Sequence, residues 1–263
     1  MRRNPTADLS TLRSRAKDLL PTTTVLLYGQ DDTLLKKSLQ SIRRQQHVTL
    51  DCILLTDDPH YEPGQLPLKH WPERFALRHL KPDFPCGKSR LVNLALPHIS
   101  SRHVLVLQAG DRFERDEIAL MEKKLALAPP HTAAVFGNLE LWESSPQGDR
   151  ITKALPSIMT RSMRRLLNHL KREHRLAPPL LPAKLLKRIG YPTDYPGEGF
   201  LLADTAFTLA LLQEGTLEHH ADLCIRRYTN TELACFQKED EKRILHVLLR
   251  QSAKDLSLPE PYD

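Results

Sequence analysis

Thr23-Thr24-Val25-Leu26-Leu27-Tyr28-Gly29-Gln30-Asp31-Asp32 is the stretch on which the fold turns. The run from Thr23 to Tyr28 is β-branched and aliphatic with no polar alternation, which predicts a strand buried on both faces. Gly29 stops it, and the aspartate pair offers a helix cap. Beyond the cap, Leu34, Leu35, Ser38, Leu39 and Ile42 recur at helical spacing, while Lys36, Lys37, Arg43 and Arg44 take the other face.

Working outward, Leu50–Leu55 predicts a second core strand, closed by Thr56-Asp57-Asp58-Pro59. A proline-broken loop leads to a short strand around Phe75–Leu80. Gly87 then precedes a helix with Leu91, Val92, Ala95 and Leu96 on one side. Val104–Leu107 is the next strand, halted by Gln108-Ala109-Gly110-Asp111. Asp116–Leu127 predicts a helix and Ala133–Trp142 a strand. Strands alternating with helices at this spacing imply a mostly parallel central sheet flanked by helices. The rest is less regular. We expect a short helix over Leu181–Ile189 stopped by Gly190, a helix over Asp204–Gln213, strand character from Leu217 to Tyr228, and a terminal helix over Lys238–Ser252. Residues Met1–Pro21 read as a short basic helix ahead of the domain. The simplest division is therefore an N-terminal helix (1–21), one α/β domain (22–232), and a C-terminal helix and tail (233–263).

With 40% apolar and 27% charged residues, the composition is that of a globular protein. No apolar run approaches the roughly 20 residues needed to cross a bilayer. The N-terminus carries no apolar stretch of a secretory signal. Cys52, Cys86, Cys224 and Cys235 show no CxxC spacing, so they read as free thiols in a reducing cytoplasm. A net charge of +6 suits an anionic partner. Nucleic acid is not expected, because aromatics make up only 6% of the chain and no binding motif stands out.

In an open parallel sheet, ligands bind beyond the carboxyl ends of the strands. Three polar strand ends should meet there: Gly29-Gln30-Asp31, Asp57-Asp58 and Gln108-Ala109-Gly110-Asp111. Lys88 and Arg90 open a nearby helix and add an anion-binding element. The order of strand, leucine-paired helix and second strand ending in paired aspartates resembles the start of the family 2 glycosyltransferases, which have a GT-A fold. Gly87-Lys88-Ser89-Arg90-Leu91-Val92-Asn93 resembles that family's Arg-Asn helix, with Asn93 matching and Val92 in place of the arginine. Val104–Asp111 is similar to the strand leading to the Asp-x-Asp motif. Leu181–Gly190 is similar to the short helix before the acceptor site, and the helix from Asp204 to the one carrying the catalytic base. The likeness spans roughly residues 22–230.

The resemblance implies an α/β GT-A-type fold and transfer of a sugar from a UDP- or GDP-type nucleotide-diphosphate donor to a glycan or lipid-linked acceptor, with inversion, in bacterial surface polysaccharide biosynthesis. Asp204 becomes the base that deprotonates the acceptor hydroxyl. Its alternative is a cap on the helix that follows. Tyr28, Gln30, Asp57, Lys88, Arg90 and Asn93 would line the nucleotide, with Asp57 on the base. Gln108, Asp111 and Arg112 would face the diphosphate, and Asp111 a divalent cation, Mg or Mn. The metal motif is where the chain departs from the family. Its aspartates read Gln108 and Gly110, a poor ligand set for a hard cation. Either Lys88, Arg112, Arg226 or Arg227 replaces the metal in neutralising the diphosphate, or the domain is a catalytically inactive binding or scaffolding protein. Residues 158–174 read as a basic amphipathic helix. It either contacts the inner face of a membrane, making a cytoplasmic protein peripheral, or covers the domain.

Overall fold

A computed structural model describes residues 7–13, 20–63, 66, 71–145, 148–155, 177–193 and 200–228. The expected helices at 158–174 and 238–252 lie outside them. Among the described residues ten strands form one mixed sheet in the order β1-β4-β3-β2-β5-β9-β7-β10-β6, with β8 paired to β7. The strands are β1 Ala7–Arg13, β2 Thr23–Tyr28, β3 Leu50–Leu55, β4 Ala76–Pro82, β5 His103–Gln108, β6 Asp111–Arg112, β7 Thr132–Ser145, β8 Gly148–Leu155, β9 Leu180–Pro182 and β10 Thr216–Tyr228. The helices are α1 Asp32–Arg43, α2 Lys88–Ala95, α3 Glu117–Leu127, α4 Ala183–Ile189 and α5 Phe200–Glu214.

β2 is the centre. All of its residues are buried, and it pairs in parallel with β3 on one side and β5 on the other. Its side chains alternate between two cores. Val25 and Leu27 join Leu35, Leu39 and Ile42 of α1 and Met121 of α3. Leu26 and Tyr28 join Leu91 and Val92 of α2, Leu186 of α4 and Phe207 of α5. A sheet covered on both faces favours apolar residues along its strands, which is why these strands read as largely aliphatic runs. The buried charged exception, Asp51 of β3, is paired with Arg78 of β4. Asp31 caps α1 as expected, its Oδ1 accepting from the N–H of Thr33 at 2.8 Å and of Leu34 at 3.0 Å.

One expectation is overturned. Ala7–Arg13 is not helical but a strand, antiparallel to β4. β4 would otherwise end the sheet with a row of unpaired backbone groups, and an extended segment satisfies them whatever its helix propensity. The sequence also did not disclose β6, β8 or β9. β6 and β9 are only a few residues long, and β8 folds back on β7 as a hairpin that extends the sheet beyond its neighbours.

α3 is tied to β10 through Glu117, which is 4% exposed. Its Oε2 accepts from the Glu114 N–H at 2.8 Å, and its Oε1 accepts from the Cys224 N–H. Burial pushes its pKa from 4.5 up to about 7, against the two N–H bonds, which favour the anion. The contribution of this group to stability is therefore complete below about pH 4.5 and is lost as pH rises through about 7. Burial pushes His219 and His220 down, which acts oppositely over part of that range. The clean readout is therefore carboxyl NMR. Glu117 is expected to titrate near 7, and a midpoint near 4.5 would show that the N–H bonds outweigh burial.

Candidate active site

The strand register sets the site. Tyr28 lies beside Leu55 on one side and Gln108 on the other, so the tips of β2, β3 and β5 are adjacent. Two backbone bonds extend the stitching past the strands, from Gly29 N–H to Leu55 O at 3.1 Å and from Ala109 N–H to Tyr28 O at 2.7 Å. Gly29 is required by that approach, since a Cβ there would sit 2.4 Å from the Ala109 Cβ.

Several residues expected to touch a nucleotide brace this edge. With its amide oxygen turned toward the β3 loop, Gln30 accepts from the N–H of Asp58 at 2.9 Å and of Asp57 at 3.2 Å. Asp57 in turn accepts from the N–H of Cys86 at 2.7 Å and of Gly87 at 3.0 Å. Gly87 precedes α2 and has no side chain to cap it, so the Asp57 carboxylate supplies the negative charge at that helix start. Asn93 clasps one backbone unit. Its Nδ2 donates to Tyr191 O at 2.8 Å and its Oδ1 accepts from Tyr191 N–H at 2.7 Å. Arg90 is exposed on α2.

The clasp places Tyr191, whose ring stacks on Phe207 of α5 with centroids 4.5 Å apart. Its hydroxyl donates to Asp204 Oδ1. The same oxygen accepts from the Nζ of Lys88, which is buried at the first position of α2. Both anchors hold Oδ1, and Oδ2 is the oxygen that neither engages. Burial and the Asp204 charge push the Tyr191 phenol well above its ordinary range, so it stays a donor. The capping alternative for Asp204 falls away, because α5 begins at Phe200 and Asp204 lies inside it. Asp204, Tyr191, Phe207, Val106 and Arg227 line a cleft of about 30 Å³, room for about one water.

Asp111 has a different partner from the one expected. It is fully buried, and Arg227 grips it through Nε to Oδ1 at 2.6 Å and Nη2 to Oδ2 at 2.9 Å. Oδ2 also accepts from Gln108 N–H at 2.9 Å. Burial works against the Arg227 charge, but Asp111 more than restores it, so the guanidinium is held firmly charged. These residues do not fit a divalent cation. Asp111 has no oxygen to spare, Gln108 brings an amide, and Gly110 has no side chain. Among the described residues no group of three or more His, Cys, Asp or Glu is placed to share an ion. Arg112 lies over the Tyr228 ring, 5.3 Å from its centroid, and donates to its hydroxyl at 3.1 Å.

Sequence reasoning missed the Lys88–Asp204–Tyr191 cluster as a unit. The one signal for Tyr191 was an aromatic hydroxyl placed directly after the glycine that ends α4. The distant partners left no local trace.

No family model matches the sequence, and no curated protein matches it either. Solved structures do resemble the fold. The mannosyltransferase PcManGT from Pyrobaculum calidifontis, in complex with GDP-Man and Mn2+, is 17% identical with a TM-score of 0.59, covering 96% of this chain and 69% of its own. S. aureus TarS 1-349 in complex with UDP-GlcNAc is 16% identical with a TM-score of 0.62, covering 92% and 68%. The same TarS fragment with UDP is 13% identical with a TM-score of 0.61, covering 89% and 72%. The curled, mostly parallel sheet with helices on both faces is thus the glycosyltransferase-type fold.

Proposed function

We propose that this chain transfers a sugar from a UDP- or GDP-type nucleotide-diphosphate donor to the hydroxyl of a glycan or lipid-linked acceptor, with inversion, in the making of a bacterial surface polysaccharide. The observation that carries the reading is the Asp204 carboxylate. Lys88 and Tyr191 anchor its Oδ1, which leaves Oδ2 to take the acceptor proton as the hydroxyl attacks the anomeric carbon. The bond to the diphosphate oxygen breaks in the same step. Positive side chains at this edge, Lys88 and Arg227 foremost, offset the charge left on the leaving group. Nucleotide binding at the tips of β2, β3 and β5 follows from the parallel-sheet rule. The inactive binding-domain reading draws on one observation, the commitment of Asp111 to Arg227.

Calorimetric titration tests the first half. UDP or GDP is expected to bind at micromolar strength, and neither EDTA nor Mn2+ is expected to shift the affinity by more than about twofold. Absence of binding to both nucleotides removes the glycosyltransferase reading. Binding without hydrolysis or transfer across a panel of donor sugars and acceptors leaves the binding-domain reading in its place.

A further inference from the structure

A second polar site lies across the sheet from Asp204. β6 and β10 pair antiparallel with Asp111 opposite Arg227 and Arg112 opposite Arg226. Neighbouring residues of a strand point to opposite faces. The Asp111–Arg227 pair therefore looks toward Tyr191 and Asp204, and the Arg112–Arg226 pair looks the other way. There it meets the end of α1, the loop before β4 and the loop after β6. Together they form a groove of about 680 Å³ lined by Arg43, Arg44, Arg74, Arg112, Arg115 and Arg226, with Glu114 as the carboxylate on its lining among the described residues. That volume lies in the range of ligand sites.

Like charges directly opposite on a ladder are unfavourable, and Arg112 faces Arg226. Glu114 at 2.7 Å and Glu140 at 3.5 Å both answer Arg226, and Arg74 is steadied by donating to Gln45 O at 2.8 Å. Arg44, Arg74 and Arg115 stand exposed. Guanidinium forks match phosphate oxygens in pairs. Among the described residues Phe113 is the one ring on the lining, and it is buried. The rings behind it, Trp142 and Tyr228, are already covered by the guanidinium groups of Arg226 and Arg112 at 5.2 and 5.3 Å, so no open ring face is left for stacked bases. We propose that this groove binds an oligophosphate chain, a ligand with several consecutive phosphate groups and no base recognition, at a site separate from the Asp204 edge.

Fluorescence-detected binding of a labelled short inorganic polyphosphate to the full chain, over a range of salt, tests this. The variant Arg44→Ala/Arg74→Ala/Arg115→Ala is expected to bind at least about tenfold more weakly. Its slope of log affinity against log salt should fall by about one for each arginine removed. Arg44 and Arg115 are exposed, and Arg74, also exposed, gives up one hydrogen bond to Gln45 O, so the melting temperature of the variant is measured alongside. Arg44→Ala/Arg115→Ala, expected to show the same loss in proportion, keeps the test independent of folding. A control that removes equal charge elsewhere, Lys123→Ala/Lys153→Ala/Lys184→Ala, should stay within about twofold. An equal loss in that control would reduce the effect to net charge and overturn the proposal. Displacement of polyphosphate by UDP would also overturn it, by merging the two sites. Tighter binding of single-stranded RNA of matched charge would overturn the ligand class. The nucleotide titration above is independent of all three outcomes.

Discussion

Asp204→Asn is expected to lower sugar transfer by about 10²–10⁴-fold, the usual span for losing a general base, while nucleotide affinity stays within about twofold. The substitution keeps shape. An asparagine oxygen in place of Oδ1 still accepts from Tyr191 and Lys88, so the cluster remains assembled. The amide nitrogen in place of Oδ2 has no lone pair for a proton. The variant thus separates chemistry from scaffolding. Buried Lys88 loses its counter-charge, so a modest drop in stability is also expected. A purely structural Asp204 predicts that drop alone, with kcat unchanged in the folded fraction. The pH profile decides further, because the acidic limb of kcat/KM should vanish with the carboxylate. An intact acidic limb in the variant would mean that another group takes the proton.

What the sequence disclosed and what it withheld divide along physical lines. β2, β3 and β5 were legible because a sheet covered on both faces leaves largely aliphatic runs, and α1 because Asp31 and the leucine spacing are local signals. β1 was not legible, since its reason for being extended is the backbone edge of β4 and not its own side chains. The site divides in the same way. Asp204 could be singled out, but the start of α5 at Phe200 could not, so the sequence left open a cap that the helix start removes. Asp57 was correctly placed at a strand end, yet its acceptors are spent on the amides of Cys86 and Gly87, which only the tertiary fold brings near. Asp111 misled most. A motif position suggested a metal ligand, and the residue that claims it, Arg227, arrives from the far end of the domain.

Restoring the missing carboxylate should fail for a reason that the backbone states. Gly110→Asp is expected to cost about 2–6 kcal/mol, a large part of the margin of an ordinary domain. Gly110 sits at φ +99°, a conformation that costs a side-chain-bearing residue roughly 1–3 kcal/mol. A Cβ there would also lie 2.3 Å from the Tyr228 carbonyl oxygen. The backbone cannot easily retreat, because Gly110 O accepts from Tyr228 N–H at 2.9 Å and Gly110 N–H donates to Ser38 Oγ at 2.9 Å. Overpacking of this kind adds about 1–3 kcal/mol, and the new carboxylate would begin its reach beside a carbonyl. Gln108→Asp is the contrast. That position is half-buried at the end of β5, and the change should cost under about 1 kcal/mol. Urea denaturation compares the two, and calorimetry with Mn2+ asks whether either variant, or the double variant, gains a metal. None should, because Asp111 stays bound to Arg227 and the loop has no room for a second ligand. A Gly110→Asp protein as stable as the parent and binding Mn2+ at micromolar strength would show that the loop yields and that only the side chain was missing. The expected outcome means that the close seating of β10 against this loop and the absence of an aspartate at 110 belong to one arrangement, in which Tyr228 of β10 closes on Gly110 and Arg227 holds Asp111.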